Sequence, residues 1–194
     1  MSEDPGTRLF NPSQIQQAVD GMAQEIAAWL TQRQARALNL VSILEGARPL
    51  TRDLVGRLEK LIPQIELKIQ GVRIKGTDGT ILLKERQRLE GWSDPEALRF
   101  HPNLLVDDLV DSGLTLQTLK TEVHALGAKE VKTAVLLRKF GEASGPVDFC
   151  GFDLNLSREA LARKGLKDYW LFGYGMDLDG RQRELEHIGW MEIR

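Results

Sequence analysis

The sequence predicts an α/β fold, a central parallel sheet flanked by helices, and three observations carry that expectation. Residues 104–106 are an apolar strand, a helical pattern follows, and residues 131–137 are apolar again. Strand, helix and strand in this order join parallel neighbours through a right-handed crossover. Residues 38–44 form a short, branched apolar run ending at Glu45-Gly46-Ala47, as in a strand buried on both faces. Between such runs, apolar residues recur at spacings of three and four, the period of helices packed on a sheet.

Each element then follows in order. Residues 1–10 read as a loose tail. Asn11 before Pro12 has the form of an N-cap followed by proline at the first helical position. Ile15, Val19, Met22, Ile26 and Leu30 give that helix one apolar face. Pro49 opens a second helix with Leu50, Leu54, Leu58 and Leu61 on one side, and residues 65–69 alternate as a strand does. Residues 72–75 and 80–83 suit a hairpin about Thr77-Asp78-Gly79. A third helix starts near Ser112-Gly113 and stops at Gly127. Beyond Lys139 the pattern changes: a strand at 149–152, a short helix at 158–164 capped by Ser157, and strands at 169–172 and 190–193. This tail reads as a smaller subdomain. Residues 1–139 are therefore assigned to the core and 140–194 to the subdomain.

Composition bounds the function. The chain has 194 residues, and 26 Lys+Arg against 28 Asp+Glu leave a net charge of -2, which gives no support for charge-driven binding to nucleic acid or membrane. Cys150 is the only cysteine, so no intrachain disulfide forms, which fits a reducing compartment. The polar, acidic N-terminus is unlike a signal peptide, and no apolar run is long enough to cross a bilayer. A cytoplasmic protein with neither nucleic-acid nor membrane partners is expected.

The chemistry sits in Asp107-Asp108-Leu109-Val110-Asp111-Ser112-Gly113-Leu114-Thr115. An apolar strand delivers two carboxylates to its C-terminal edge, where open α/β sheets hold ligands. The loop behind them combines two hydroxyls, a glycine and the free amides of a helix start, which together cradle an anion. Phosphate beside carboxylates points to a phosphosugar. Leu109 and Val110 interrupt the alternating oxygens of an EF-hand, the lysine of a Walker loop is absent, and only one glycine of a dinucleotide fingerprint is present.

This segment resembles the phosphoribosyl pyrophosphate (PRPP) signature of type I phosphoribosyltransferases. Val147-Asp148-Phe149-Cys150-Gly151-Phe152, Trp170-Leu171-Phe172-Gly173-Tyr174-Gly175-Met176-Asp177, Arg183-Glu184-Leu185 and Leu44-Glu45-Gly46-Ala47 resemble the hypoxanthine-guanine branch. The resemblance implies the type I fold, with a small C-terminal hood over the parallel sheet. It implies transfer of a 5-phosphoribosyl group from PRPP to a purine base, hypoxanthine or guanine, with Mg²⁺, in a homodimer or homotetramer. By the same resemblance, Asp111, Ser112, Gly113, Leu114 and Thr115 hold the 5′-phosphate, Asp107 and Asp108 face the ribose hydroxyls, and Asp111 takes the proton from purine N7. Glu45 and Gly46, in a loop that often carries a non-proline cis peptide, receive pyrophosphate with Arg183. Trp170 stacks on the base, Leu171 reads its edge, and Asp177 lies near the base and a second Mg²⁺.

Three features depart from the pattern. The resemblance implies a lysine for the purine 6-oxo group, and Pro146-Val147-Asp148, where it is expected, has none. Lys139, Lys164 and Lys167 are the alternatives. No Ser-Tyr pair of the family's lid occurs in residues 71–79, although Arg73 and Lys75 lie there. Residues 155–168 form an insertion. A non-catalytic PRPP or nucleotide binder on the same fold, or transfer to a different base, is the competing reading.

Overall fold

The computed structural model describes residues 6–74, 89–90 and 95–193. In chain order its elements are β1 (Thr7–Phe10), α1 (Pro12–Gln32), β2 (Ala37–Ile43), α2 (Arg48–Leu61), β3 (Glu66–Ile74), β4 (Leu89–Glu90), β5 (Asn103–Val110), α3 (Leu114–Ala125), β6 (Val131–Arg138), β7 (Phe149–Asp153), α4 (Arg158–Arg163), β8 (Asp168–Phe172) and β9 (Ile188–Ile193). The large sheet has the order β4-β3-β2-β5-β6-β7, with all neighbours parallel except the β3–β4 pair.

The period of two in each strand divides the core between the sheet's faces. Leu38, Leu40, Leu104, Val106, Ala134 and Leu136 pack with α1 and α2, whose Ile15, Val19, Ile26, Leu50 and Leu54 are buried among them. Val41, Ile43, Leu105 and Val135 point the other way and pack with Leu116, Leu119 and Val123 of α3. Helix α1 starts where expected. The Asn11 side chain accepts from the Gln14 amide at 2.9 Å, and the Gln14 side chain accepts from the Asn11 amide at 3.0 Å, closing a reciprocal cap.

The second sheet, in the order β1-β9-β8, is antiparallel throughout. Two expectations are corrected here. Residues 7–10, read as part of a loose tail, form β1 and pair with β9. Residues 149–153, assigned to the C-terminal subdomain, form the β7 edge of the large sheet and pair with β6. Four residues are too few to show a period, which hides β1 in the sequence. Its partner lies at the opposite end of the chain. Phe10 stacks on Phe152 with ring centroids 3.8 Å apart, clamping the small sheet to the edge of the large one.

Strand β3 extends continuously to Ile74, so Val72 belongs to it and not to a separate hairpin arm. The turn at Thr77-Asp78-Gly79 lies outside the described residues. Among those residues no helix is long and apolar enough to cross a membrane.

Candidate active site

From β2 the large sheet extends to β3 on one side and through β5 and β6 to β7 on the other. Connections on the two sides diverge at the C-terminal ends of β2 and β5, which opens a crevice there. The loop after β2 carries Glu45 and Gly46, and the loop after β5 carries Asp111 to Gly113. A cavity of about 430 Å³ occupies the crevice. Asp107, Asp108, Asp111 and Thr115 line it from the β5–α3 segment, and Lys139, Trp170, Leu171 and Asp177 from later in the chain.

The two carboxylates of β5 are packed into the protein. Asp107 is 6% exposed and accepts from the Asp108 amide at 3.0 Å, while Asp108 accepts from the Leu109 amide at 2.9 Å. Burial pushes the Asp107 carboxyl well above the usual carboxylate range, and the neighbouring Asp108 charge adds to this. Burial also raises Asp108, opposed by hydrogen bonding and by the positive charge of Arg183.

Gly46 sits directly against this pair. A Cβ there would lie 1.9 Å from Asp108 Oδ2, so only glycine allows the loop after β2 to approach β5 this closely. Within that loop the Leu44–Glu45 peptide is cis, as the resemblance implied. The Glu45 carboxylate is bound by Arg73 Nη2 at 2.6 Å and by Arg48 Nε at 3.0 Å. The Arg73 hydrogen bond leads the effects that hold it below its ordinary pKa.

Gly113 turns the chain into α3 with φ +73°, and a Cβ there would meet the Ser144 carbonyl oxygen at 2.3 Å. Ser112 Oγ accepts from the Leu114 amide at 3.4 Å. The first turn of α3 thereby opens beside the carboxylates, with amides that have no partner within the helix.

Asp111 lies between two cations. Its Oδ2 accepts from Lys139 Nζ at 3.3 Å and its Oδ1 from Arg158 Nη2 at 3.0 Å. Lys139 is 4% exposed, and its Nζ also reaches Asp168 Oδ1 at 2.7 Å. A buried ammonium needs such partners to remain charged.

Lys139 lines the cavity, whereas the stretch where the resemblance places a lysine does not. Pro146-Val147-Asp148 precedes β7 at the opposite edge of the sheet, where Asp148 Oδ2 accepts from the Thr133 amide at 2.9 Å and from its hydroxyl at 3.0 Å. Six strand positions separate Thr133 from Lys139, roughly 20 Å at the rise of a β-strand. A side chain at 146–148 does not span that distance. Lys139 directly follows β6, as Asp111 directly follows β5. This shared position at strand ends is the sequence signal that singles it out.

Trp170 is 42% exposed although it lines the cavity, so its ring is not a core aromatic, and its indole N–H donates to the Asp177 carbonyl at 2.7 Å. Leu171, beside it on β8, is buried. Asp177 Oδ1 accepts from Arg183 Nη2 at 2.6 Å and Oδ2 from the Gly180 amide at 2.8 Å, while Arg183 Nη1 donates to the Gly175 carbonyl at 2.6 Å. The structure thus brings Asp107, Asp108, Asp111, Thr115, Trp170, Leu171 and Asp177 to one cavity. Glu45, Gly46, Ser112, Gly113, Leu114 and Arg183 adjoin it in sequence, contact or charge. Arg158 and Asp168 were not singled out in the sequence, since nothing local marks them as neighbours of Asp111 and Lys139.

The phosphoribosyl transferase domain model matches residues 8–152. The chain belongs to the phosphoribosyltransferase family. It is similar to the hypoxanthine-guanine phosphoribosyltransferase of Dictyostelium discoideum, with 26% identity covering 93% of this chain and 92% of that protein. The enzyme of that name from Bacillus subtilis is 27% identical, covering 97% of this chain and 94% of its own. The fold is shared with hypoxanthine phosphoribosyltransferase of Trypanosoma cruzi solved with its product IMP. There the TM-score is 0.77 at 23% identity, over 100% of this chain and 97% of that one. The type I phosphoribosyltransferase fold expected from the sequence is the fold observed.

Proposed function

We propose that this phosphoribosyltransferase moves the 5-phosphoribosyl group of PRPP to a 6-oxopurine, hypoxanthine or guanine, releasing pyrophosphate and a nucleoside monophosphate. One observation carries the reading. The carboxylates and helix start suited to a phosphosugar share a single cavity with an accessible indole and a buried lysine suited to an oxopurine.

In this reading the amides and hydroxyls of Asp111 to Thr115 hold the 5′-phosphate, and Asp107 and Asp108 engage the ribose. Trp170 offers the base a stacking face. Lys139 donates to its 6-oxo oxygen, Leu171 offers backbone at its edge, and Asp111 accepts the proton leaving the purine. A carboxylate acts here through proximity, because it is a weak base in water. Gly46 allows the loop of Glu45 to close on pyrophosphate, and Arg183 contributes positive charge. Arg73 and Arg48, gathered on Glu45, stand beside that loop.

Mg²⁺ suits the acidic pair. Two adjacent carboxyls, Asp107 buried and Asp108 half-buried, resist ionisation together, and a divalent cation relieves that cost. Among the described residues no three metal-ligating side chains cluster. The fit is therefore to an ion held by one or two carboxylates together with substrate oxygens, the usual habit of Mg²⁺. Asp107 and Asp108 would hold it, and Asp177 would face a second ion. An ion held there would supply positive charge to offset the negative charge of the departing pyrophosphate. A homodimer or homotetramer, in the cytoplasm, completes the reading, and light scattering checks the assembly.

The deciding experiment measures pyrophosphate release from PRPP and Mg²⁺ with hypoxanthine, guanine, xanthine, adenine and uracil offered separately. Release that depends on hypoxanthine or guanine is expected. Release with another base alone corrects the specificity. No release with any base, while calorimetry detects PRPP binding, replaces the enzyme with a binding protein.

A further inference from the structure

The insertion between β7 and β8 packs a small core against the residues after β6 and against β8. Phe140, Leu161, Leu166 and Tyr169 are buried together, and Ser157 caps α4 by accepting from the Ala160 amide at 3.2 Å. This packing aims one side chain back at the cavity. The Arg158 guanidinium lies over the Phe140 ring at 4.0 Å and donates to Asp111 Oδ1 at 3.0 Å. Lys139, on the other Asp111 oxygen, lies 5.3 Å from the same ring.

We propose that Arg158 is a positioning residue for the transfer reaction, fixing the Asp111 carboxylate so that it meets the purine in one orientation. The proposal rests on the reading above, in which Asp111 takes the purine proton. A carboxylate held by Lys139 alone turns about its terminal bond. Held at both oxygens, from the residue after β6 on one side and from α4 on the other, its plane is set. The Arg158 side chain is 61% exposed, and a pair so open to water adds little to stability. Its stacking on Phe140 and its aim at Asp111 are therefore read as orientation and not as a staple of the fold. Nothing in the contiguous PRPP motif supplies this second hold, which comes from 47 residues further along the chain.

Steady-state kinetics of the full chain with PRPP, Mg²⁺ and hypoxanthine or guanine test the role. Arg158→Ala is expected to lower kcat about tenfold while the KM for PRPP stays within about twofold, and Arg158→Lys to recover part of the loss. In an Asp111→Asn background, Arg158→Ala should slow turnover no further, because the two residues act as one unit. An unchanged kcat in Arg158→Ala, or a similar further loss in the Asp111→Asn background, overturns the proposal. If the alanine variant misfolds by circular dichroism, Arg158→Gln takes its place and is read against the same outcomes. A wild-type chain without turnover on any base removes the reading of the enzyme, and this role with it. A fully active wild type unaffected at Arg158 removes only this role.

Discussion

The phosphosugar side of the cavity and the base side are built in opposite ways. Asp107 to Thr115 is one unbroken segment, in which strand, loop and helix start are adjacent in sequence and backbone amides do much of the work. Lys139, Arg158, Asp168, Trp170 and Asp177 come from the end of β6, α4, β8 and the turn beyond it, and only their side chains matter. The contrast teaches where change is tolerated. A contiguous backbone cradle tolerates side-chain replacements that leave its backbone in place, while a constellation of side chains loses its arrangement when any one member is replaced.

Mutations on both sides sharpen that contrast. The largest effect is expected from Asp111→Asn, which removes the proposed proton acceptor and should lower kcat by about 10²–10⁴-fold with PRPP affinity largely kept. Equal loss in calorimetric PRPP binding would instead make Asp111 part of the cradle alone. Gly46→Ala should come next. Its Cβ would fall 1.9 Å from Asp108 Oδ2, so the loop or the carboxylate must shift, and kcat/KM for PRPP should fall about 100-fold. A near-normal value would show that the crevice yields more than its packing suggests.

On the base side, Trp170→Ala should raise the KM for the base about tenfold and leave the KM for PRPP unaltered. Equal change in both would dissolve the division between the two sides. Lys139→Met should have a similar kinetic effect. It should also cost about 1–3 kcal/mol of stability in urea denaturation, because Asp111 and Asp168 lose a shared partner.

The smallest effect concerns pH. The folded-state pKa of Asp107 is raised above its unfolded value, near 3.8, by burial and then by Asp108. A carboxyl raised in this way stabilises the fold at pH below the unfolded pKa, and that contribution is lost as pH rises through the folded pKa. Asp107→Asn should therefore leave the ligand-free protein more stable than the parent at pH 7–8, with the gap closing below pH 4. Thermal melts at the two pH values measure it. A gap that persists at low pH would assign the effect to packing.

Much of this was legible without coordinates. Asn11 and Pro12 announced α1, the branched run at 38–44 announced a doubly buried strand, and Asp107 to Thr115 carried strand, acids and anion cradle in one reading. These features are local, governed by hydrogen bonds within a turn or by a period of two or 3.6. The resemblance added the loop at Glu45 and the stacking position of Trp170.

What the sequence alone determined is the α/β class and the strand, acids and helix start proposed as the phosphosugar cradle, because neighbouring residues build both. Tertiary structure alone decided that β1 pairs with β9, that Pro146-Val147-Asp148 lies at the far edge of the sheet, and that Asp168 reaches Lys139. It also decided that Asp111 is held from two sides. Each of these depends on which strand ends and inserted helices the sheet brings together, a long-range arrangement that no spacing along the chain encodes.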